Sequence, residues 1–198
     1  MDEVELIQAA RKGDLNAFNR LILAYQDMVF SQAYRVLGDP QAADDAAQVA
    51  FISAYKNLRK FRGGSFRAWL LRIVTNACYD ELRRQKRRPT TSLEPLDDSG
   101  EEIESARWLA DSSELPEDSI LRTELGQAIQ RCLERLPLDF RTVVILVDVQ
   151  GMDYLEAASV IEKPLGTVKS RLARARQRMR LCLQEFWELL PTSMRLES

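Results

Sequence analysis

The sequence predicts an all-α protein made of two small helical domains joined by an acidic flexible linker, the C-terminal domain carrying a helix-turn-helix. Three observations predict it. Apolar residues recur three and four apart through both ends of the chain, and no strand-like alternation persists. Charge is sorted into blocks: Lys56 to Arg88 holds eleven basic residues against two acidic, and Pro89 to Ser119 holds one against ten. Lys163 to Arg180 then carries seven basic residues and no acid, an alternation that the net charge of -2 conceals.

In chain order, Val4 to Lys12 has the spacing of a short amphipathic helix, and Gly13-Asp14 reads as a stop followed by a new cap. Leu15 to Leu37 places Phe18, Leu21, Ile22, Tyr25, Val29 and Ala33 at helical spacing. Gly38, Asp39 and Pro40 supply a C-terminal stop, an N-cap and a first-turn residue. Gln41 to Leu58 gathers Ala47, Phe51, Ala54, Tyr55 and Leu58 on one stripe. After a loop at Phe61 to Ser65, a helix from Phe66 to Lys86 carries Trp69, Leu70, Ile73, Val74, Ala77 and Leu82. Residues 1–88 form the first domain, which Pro89 closes.

Residues 89–119 are rich in proline, serine and acids, with Ile103, Trp108 and Leu109 as apolar exceptions, and read as a tether. The second domain, 120–198, resumes with helices over Leu121 to Leu136 and Asp139 to Asp148. Val143 to Val147 is apolar enough for a strand, but its flanks favour a buried helix. A helix over Asp153 to Ile161, a turn at Glu162-Lys163 and a long last helix reaching Leu190 complete the reading.

Composition excludes several functions. Without histidine there is no Ser/His/Asp or Cys/His set, and neither a P-loop nor a GxGxxG occurs, so no enzyme is expected. Cys78, Cys132 and Cys182 are odd in number and widely separated, which argues against a metal site and a disulfide framework. Three reduced thiols in a cytoplasmic protein are expected, with no cofactor. The acidic N-terminus lacks a signal-peptide pattern, and no apolar run approaches the roughly 20 residues that span a bilayer.

The residues from Pro164 to Arg176 carry the sharpest functional signal. Val168, Leu172, Ala175 and Met179 form a dry stripe, and the preceding short helix and turn complete a helix-turn-helix able to enter a DNA major groove. Lys169, Ser170, Ala173 and Arg174 share the opposite face and are the base-facing set; Arg171, Arg176 and Arg178 are expected on phosphates.

The second cationic block interleaves Phe61, Phe66, Trp69 and Tyr79 with Arg62, Arg67, Arg72, Arg83 and Arg84. That pattern suits a melted strand, its backbone held by cations and its unstacked bases by rings. Asn76 is placed to read a base edge. The helix Asp44 to Phe51, acidic and small-residue-rich, offers a docking surface for a basic partner or a plain solvated face.

Taken together these motifs resemble a bacterial sigma factor of the extracytoplasmic-function group. Ala17-Phe18-Asn19 to Tyr25 is similar to the start of the family's first domain, and Asp45 to Tyr55 to its polymerase-docking segment. Phe61-Arg62-Gly63 and Phe66 to Asn76 resemble the segment that melts and reads the minus-ten element. Leu136-Pro137, Gly151 to Tyr154 and Gly166 to Leu172 resemble the domain that reads the minus-thirty-five element.

The resemblance implies a promoter-specificity subunit that joins core RNA polymerase, with Asp45, Gln48, Phe51 and Tyr55 at the docking face. Phe61, Arg62, Phe66, Arg67, Trp69, Arg72, Asn76, Arg83 and Arg84 would capture the melted non-template strand. Thr167, Lys169, Ser170, Arg171, Ala173, Arg174 and Arg176 would read upstream duplex. It also implies that the linker threads the polymerase cleft and that an anti-sigma partner exists. The chain departs from the family pattern at Val49, Ala157, Glu162 and Ala173, and its Gly63 to Ser65 loop is shorter. The alternatives are a stand-alone helix-turn-helix regulator that does not join polymerase, and an RNA-binding adaptor using Phe61 to Arg88.

Overall fold

The computed structural model describes residues 2–87 and 116–189. Arg88, most of the linker and the last nine residues therefore lie outside the described residues. Among the described residues all regular structure is helical, and no helix is long and apolar enough to cross a membrane.

Four helices build the N-terminal half: α1 (Glu3–Arg11), α2 (Leu15–Leu37), α3 (Pro40–Asn57) and α4 (Phe66–Arg87). Short acidic side chains start the first three. Asp2 and Glu5 form a capping box on α1, Asp14 accepts from the amides of Asn16 and Ala17, and Asp39 accepts from Ala42. Gly38 ends α2 at φ +81°, a left-handed conformation that a side chain resists.

The core lies where α2, α3 and α4 meet. Val29, Ala33 and Val36 of α2 and Leu71, Val74 and Cys78 of α4 are all fully buried in it. The side of α3 turned inward is almost all alanine, Ala43, Ala46, Ala47, Ala50 and Ala54, so that helix packs close. One polar pair enters this core, with Gln32 Nε2 donating to Thr75 Oγ1 at 3.3 Å.

The C-terminal half comprises α5 (Pro116–Glu134), α6 (Leu138–Val144), α7 (Tyr154–Ile161) and α8 (Leu165–Gln184). α5 begins inside the expected linker, at Pro116. α6 runs into one π turn, Ile145–Val149, where Gln150 N donates to Ile145 O at 2.8 Å. This confirms a helix, not a strand, at Val143 to Val147. Asp153 and Glu156 form a capping box on α7, and α8 ends at Gln184, short of Leu190. The break is marked by a separate 3-10 turn at Trp187–Leu189.

The cysteines correct the sequence reading. Cys132 and Cys182 form a disulfide with Cα atoms 5.7 Å apart, and Cys78 alone is free. Fifty residues separate the pair in sequence. They meet because α8 returns along α5, a pairing that spacing cannot reveal.

The two halves also pack together. Leu133, Leu136, Val143 and Leu146 join one continuous buried cluster with the core of the first half. Arg141 ties the junction: Nη1 donates to Val36 O and Nη2 to Glu134 O, both at 2.6 Å. These carbonyls belong to the last turns of α2 and α5, which have few partners within their own helices. Burial pulls the guanidinium below its ordinary pKa.

Replacing Arg141 by alanine leaves those carbonyls without the charged donor. A loss of about 2 kcal/mol in urea unfolding is expected.

Candidate nucleic-acid interface

The first turns of α8 are held by Val168, Leu172 and Ala175, which bury almost completely against the rest of the domain. The opposite side therefore faces solvent, where Lys169, Ser170, Ala173 and Arg174 are all exposed. Thr167 sits half-buried at the start, and its carbonyl accepts from Ser170 Oγ at 3.1 Å. α7 approaches through Glu162, the one described non-glycine residue with positive φ, at +53°. Lys163 and Pro164 follow it into α8.

The arginines of α8 divide into two kinds. Arg171 pairs with Asp139 at 2.5 Å, and Arg176 with Asp148 at 2.6 Å. The Asp148 carboxylate pushes the Arg176 pKa further up. Arg178 lies over the Phe140 ring at 5.3 Å. These three, expected on phosphates, hold α8 to α6 and the π turn. Among the described residues, Lys169 and Arg174 make no ion pair.

The second block is more strongly rearranged. Phe61 is 6% exposed and Phe66 2%, so neither ring can stack on a base. They build an aromatic cluster with Trp69, ring centroids 5.2 to 5.6 Å apart, that seats the start of α4. Tyr79 is likewise half-buried, its hydroxyl donating to Thr142 Oγ1 at 2.9 Å. Aromatic spacing among arginines looked like a stacking platform because core and platform use the same residue types.

Trp69 keeps an open edge. With Lys60, Arg72, Asn76 and Glu162 it lines a cleft of about 350 Å³ between α4 and the end of α7. Arg72 pairs with Glu162 across it at 3.3 Å, and Arg67 donates to the carbonyl of Gln150. Arg62 stands exposed beside Gly63 and Gly64, on a neighbouring cleft. Further along α4, Arg83 and Arg84 pair within the helix with Asp80 and Glu81 at 2.9 and 2.7 Å.

The outer edge of α3 is mixed. Asp45 is exposed, and so is Gln48, whose amide donates to Asp44 at 2.8 Å. Val49 and Ile52 are 56% and 54% exposed, an apolar strip beside those polar groups. Phe51 turns inward against the core, whereas Tyr55 is partly exposed with its ring 4.9 Å from Phe18. The sequence reading has Val49 only as a departure from the family pattern and does not single out Ile52; the signal for both is their position opposite the alanine stripe.

Comparison with known proteins matches this layout. Residues 21–88 match the family model for sigma-70 region 2, and residues 126–179 the model for sigma-70 region 4. The chain belongs to the sigma-70 family. It is similar to the sigma-H factor of Pseudomonas aeruginosa, 38% identical over 91% of this chain and 93% of that protein. The ECF sigma-E factor of Escherichia coli K12 is 40% identical over 87% and 89%. SigW of Bacillus subtilis, also an ECF sigma factor, is 34% identical over 90% and 95%. A solved structure of CnrH in complex with the cytosolic domain of CnrY superposes with TM-score 0.65 at 27% identity, covering 93% of this chain and 97% of that one. This sigma factor is thus of the ECF group, a promoter-specificity subunit and not an enzyme.

The geometry separates support from reading in the region 2 block. Phe66→Ala is expected to cost about 3 kcal/mol in chemical denaturation, as a buried ring is lost. Asn76→Ala, at an exposed position, is expected to stay within about 0.5 kcal/mol of wild type in the same titration.

Proposed function

We propose that this sigma factor reads upstream promoter duplex with the exposed face of α8 and captures the melted non-template strand along α4. The observation that carries this reading is the exposed, acid-free set Lys169, Ser170, Ala173 and Arg174, backed by a fully buried stripe. That face presents hydrogen-bonding side chains on a rigid rod, which is what major-groove readout needs. Arg171 and Arg176 position the rod through Asp139 and Asp148.

The readers are Arg62, in the loop before α4, and Trp69, Arg72 and Asn76 on α4, with Arg67 close by. Phe61 and Phe66 shape the site from beneath. Arg83 and Arg84 extend a cationic track for the strand's phosphates. Because Arg72 and Arg67 are engaged by Glu162 and Gln150, strand capture requires those contacts between the halves to open.

Docking on core RNA polymerase uses the outer edge of α3, where Asp45, Gln48 and Tyr55 border Val49 and Ile52, and Phe51 supports them from inside. Residues 89–119, outside the described residues for the most part, would run through the polymerase as an acidic connector. The site of action is the cytoplasm. An anti-sigma factor would hold the protein inactive, a reading that rests on the family to which the chain belongs. A stand-alone regulator would not need a region 2, which this chain has.

Run-off transcription with purified core polymerase and a genomic promoter library tests the whole reading, and promoter-dependent initiation only with this protein present is the expected result. Lys169→Ala combined with Arg174→Ala is expected to abolish initiation at promoters needing the upstream element and to spare the rest. The salt slope of duplex binding should fall by about one for each cation that meets a phosphate. Unchanged promoter choice would move the reading face elsewhere.

A further inference from the structure

The Cys132–Cys182 bridge has surroundings that point beyond a passive staple. Where α5 meets the end of α8, Ala128 and the two cysteines are buried and, among the described residues, stand outside the continuous apolar cluster. The sulfur cross-link is a covalent tie between the two helices at this contact. Arg135, one turn past Cys132, donates from Nη1 to Cys182 Sγ at 3.4 Å and is itself paired with Glu185 at 2.6 Å. A guanidinium on one sulfur favours its thiolate, the attacking and leaving form in thiol–disulfide exchange. Cys182 is also the more accessible of the two, 8% exposed against 1% for Cys132. Cys78 takes no part: it is buried on α4, and burial pushes its thiol up to about 12.

We propose that Cys132 and Cys182 form a reversible dithiol–disulfide switch driven by low-molecular-weight thiols and disulfides, the bridged form holding α5 on α8 and steadying the DNA-reading helix. The effect on DNA rests on the reading of α8 given above. Cys182 lies two turns beyond Arg174 on the same helix, about 12 Å along its axis.

The exchange balances as follows. In the reduced protein, the Cys182 thiolate beside Arg135 attacks a low-molecular-weight disulfide, forming a mixed disulfide and releasing one external thiolate. Cys132, as its thiolate, then attacks Cys182 Sγ, closes the bridge and expels the second external thiolate. Two protons from the cysteines end on the two external thiols, and two electrons pass to the external disulfide. Excess external thiol runs the same steps backward. A cytoplasmic thiol pool that reaches Cys182, the less buried sulfur, would open this bridge, so its state would report that pool.

Equilibrating the full-length protein in glutathione buffers of graded ratio tests the switch. Maleimide labelling after denaturation should count one thiol in oxidising buffer and three in reducing buffer. The thermal midpoint should fall on the order of 10 °C on reduction, since the bridge closes a loop of about fifty residues. Affinity for a minus-thirty-five duplex should fall at least about fivefold and return on reoxidation. Arg135→Ala should slow bridge formation several-fold, with Arg135→Lys restoring it. Cys132→Ser with Cys182→Ser should behave as the reduced protein in every buffer.

Three reactive thiols in oxidising buffer, a bridge that no thiol ratio opens, or equal midpoints in both states would each overturn the switch. A midpoint shift with unchanged duplex affinity would overturn its effect on DNA. Absence of duplex binding in both states would instead sink the reading of α8, while thiol count and midpoint still decide the switch.

Discussion

Helix ends govern this fold more than helix middles do. Eight described helices, several of them short, leave many terminal carbonyls without partners inside their own helix. Arg141 answers the most consequential set, reaching Val36 O at the end of α2, Glu134 O at the end of α5 and Leu136 O beyond it. Because those groups belong to both halves, one guanidinium sets where region 4 sits on region 2. Gln130 repeats the device on a smaller scale, donating to Tyr34 O in the last turn of α2, and Gln150 adds a bond to Met28 O in the middle of that helix. The junction is therefore polar as well as apolar, the character of an interface that can come apart.

Charge on α8 is spent in two ways, and the distinction matters for reading DNA. A helix that entered the groove with every arginine loose would gain affinity and lose register. Here Asp139, Asp148 and Phe140 hold Arg171, Arg176 and Arg178, which fixes the rotation of the helix about its axis. Lys169 and Arg174 are left to face outward at a defined angle. Exposed pairs of this sort add little stability singly, so their value is geometric.

Much of the architecture was legible from the residues. Asp14, Gly38, Asp39 and Asp153 mark helix boundaries through local chemistry, and the structure places caps or stops at each of them. The dry stripe of α8 was equally readable, because period 3.6 leaves few other uses for Val168, Leu172 and Ala175. What escaped were facts of tertiary proximity. Cys132 with Cys182, Tyr79 with Thr142 and Arg72 with Glu162 are each separated by fifty or more residues. Phe61 and Phe66 failed for a different reason: a buried ring and a stacking ring have the same one-letter pattern, and only packing tells them apart. The outer edge of α3 was half seen, since Val49 registered as a departure from pattern rather than as exposed apolar surface.

The π turn at Ile145–Val149 holds one residue more than an α turn would, and that extra residue sets the angle at which Gln150 leaves the helix. Gln150 uses that angle twice, its amide reaching Met28 O and its carbonyl receiving Arg67. Deleting a single residue from the turn would swing this glutamine through about 100° and break both bonds together. The turn thus acts as a spacer: a one-residue length difference there, invisible to any count of apolar positions, separates chains whose halves can close in this way from chains whose halves cannot.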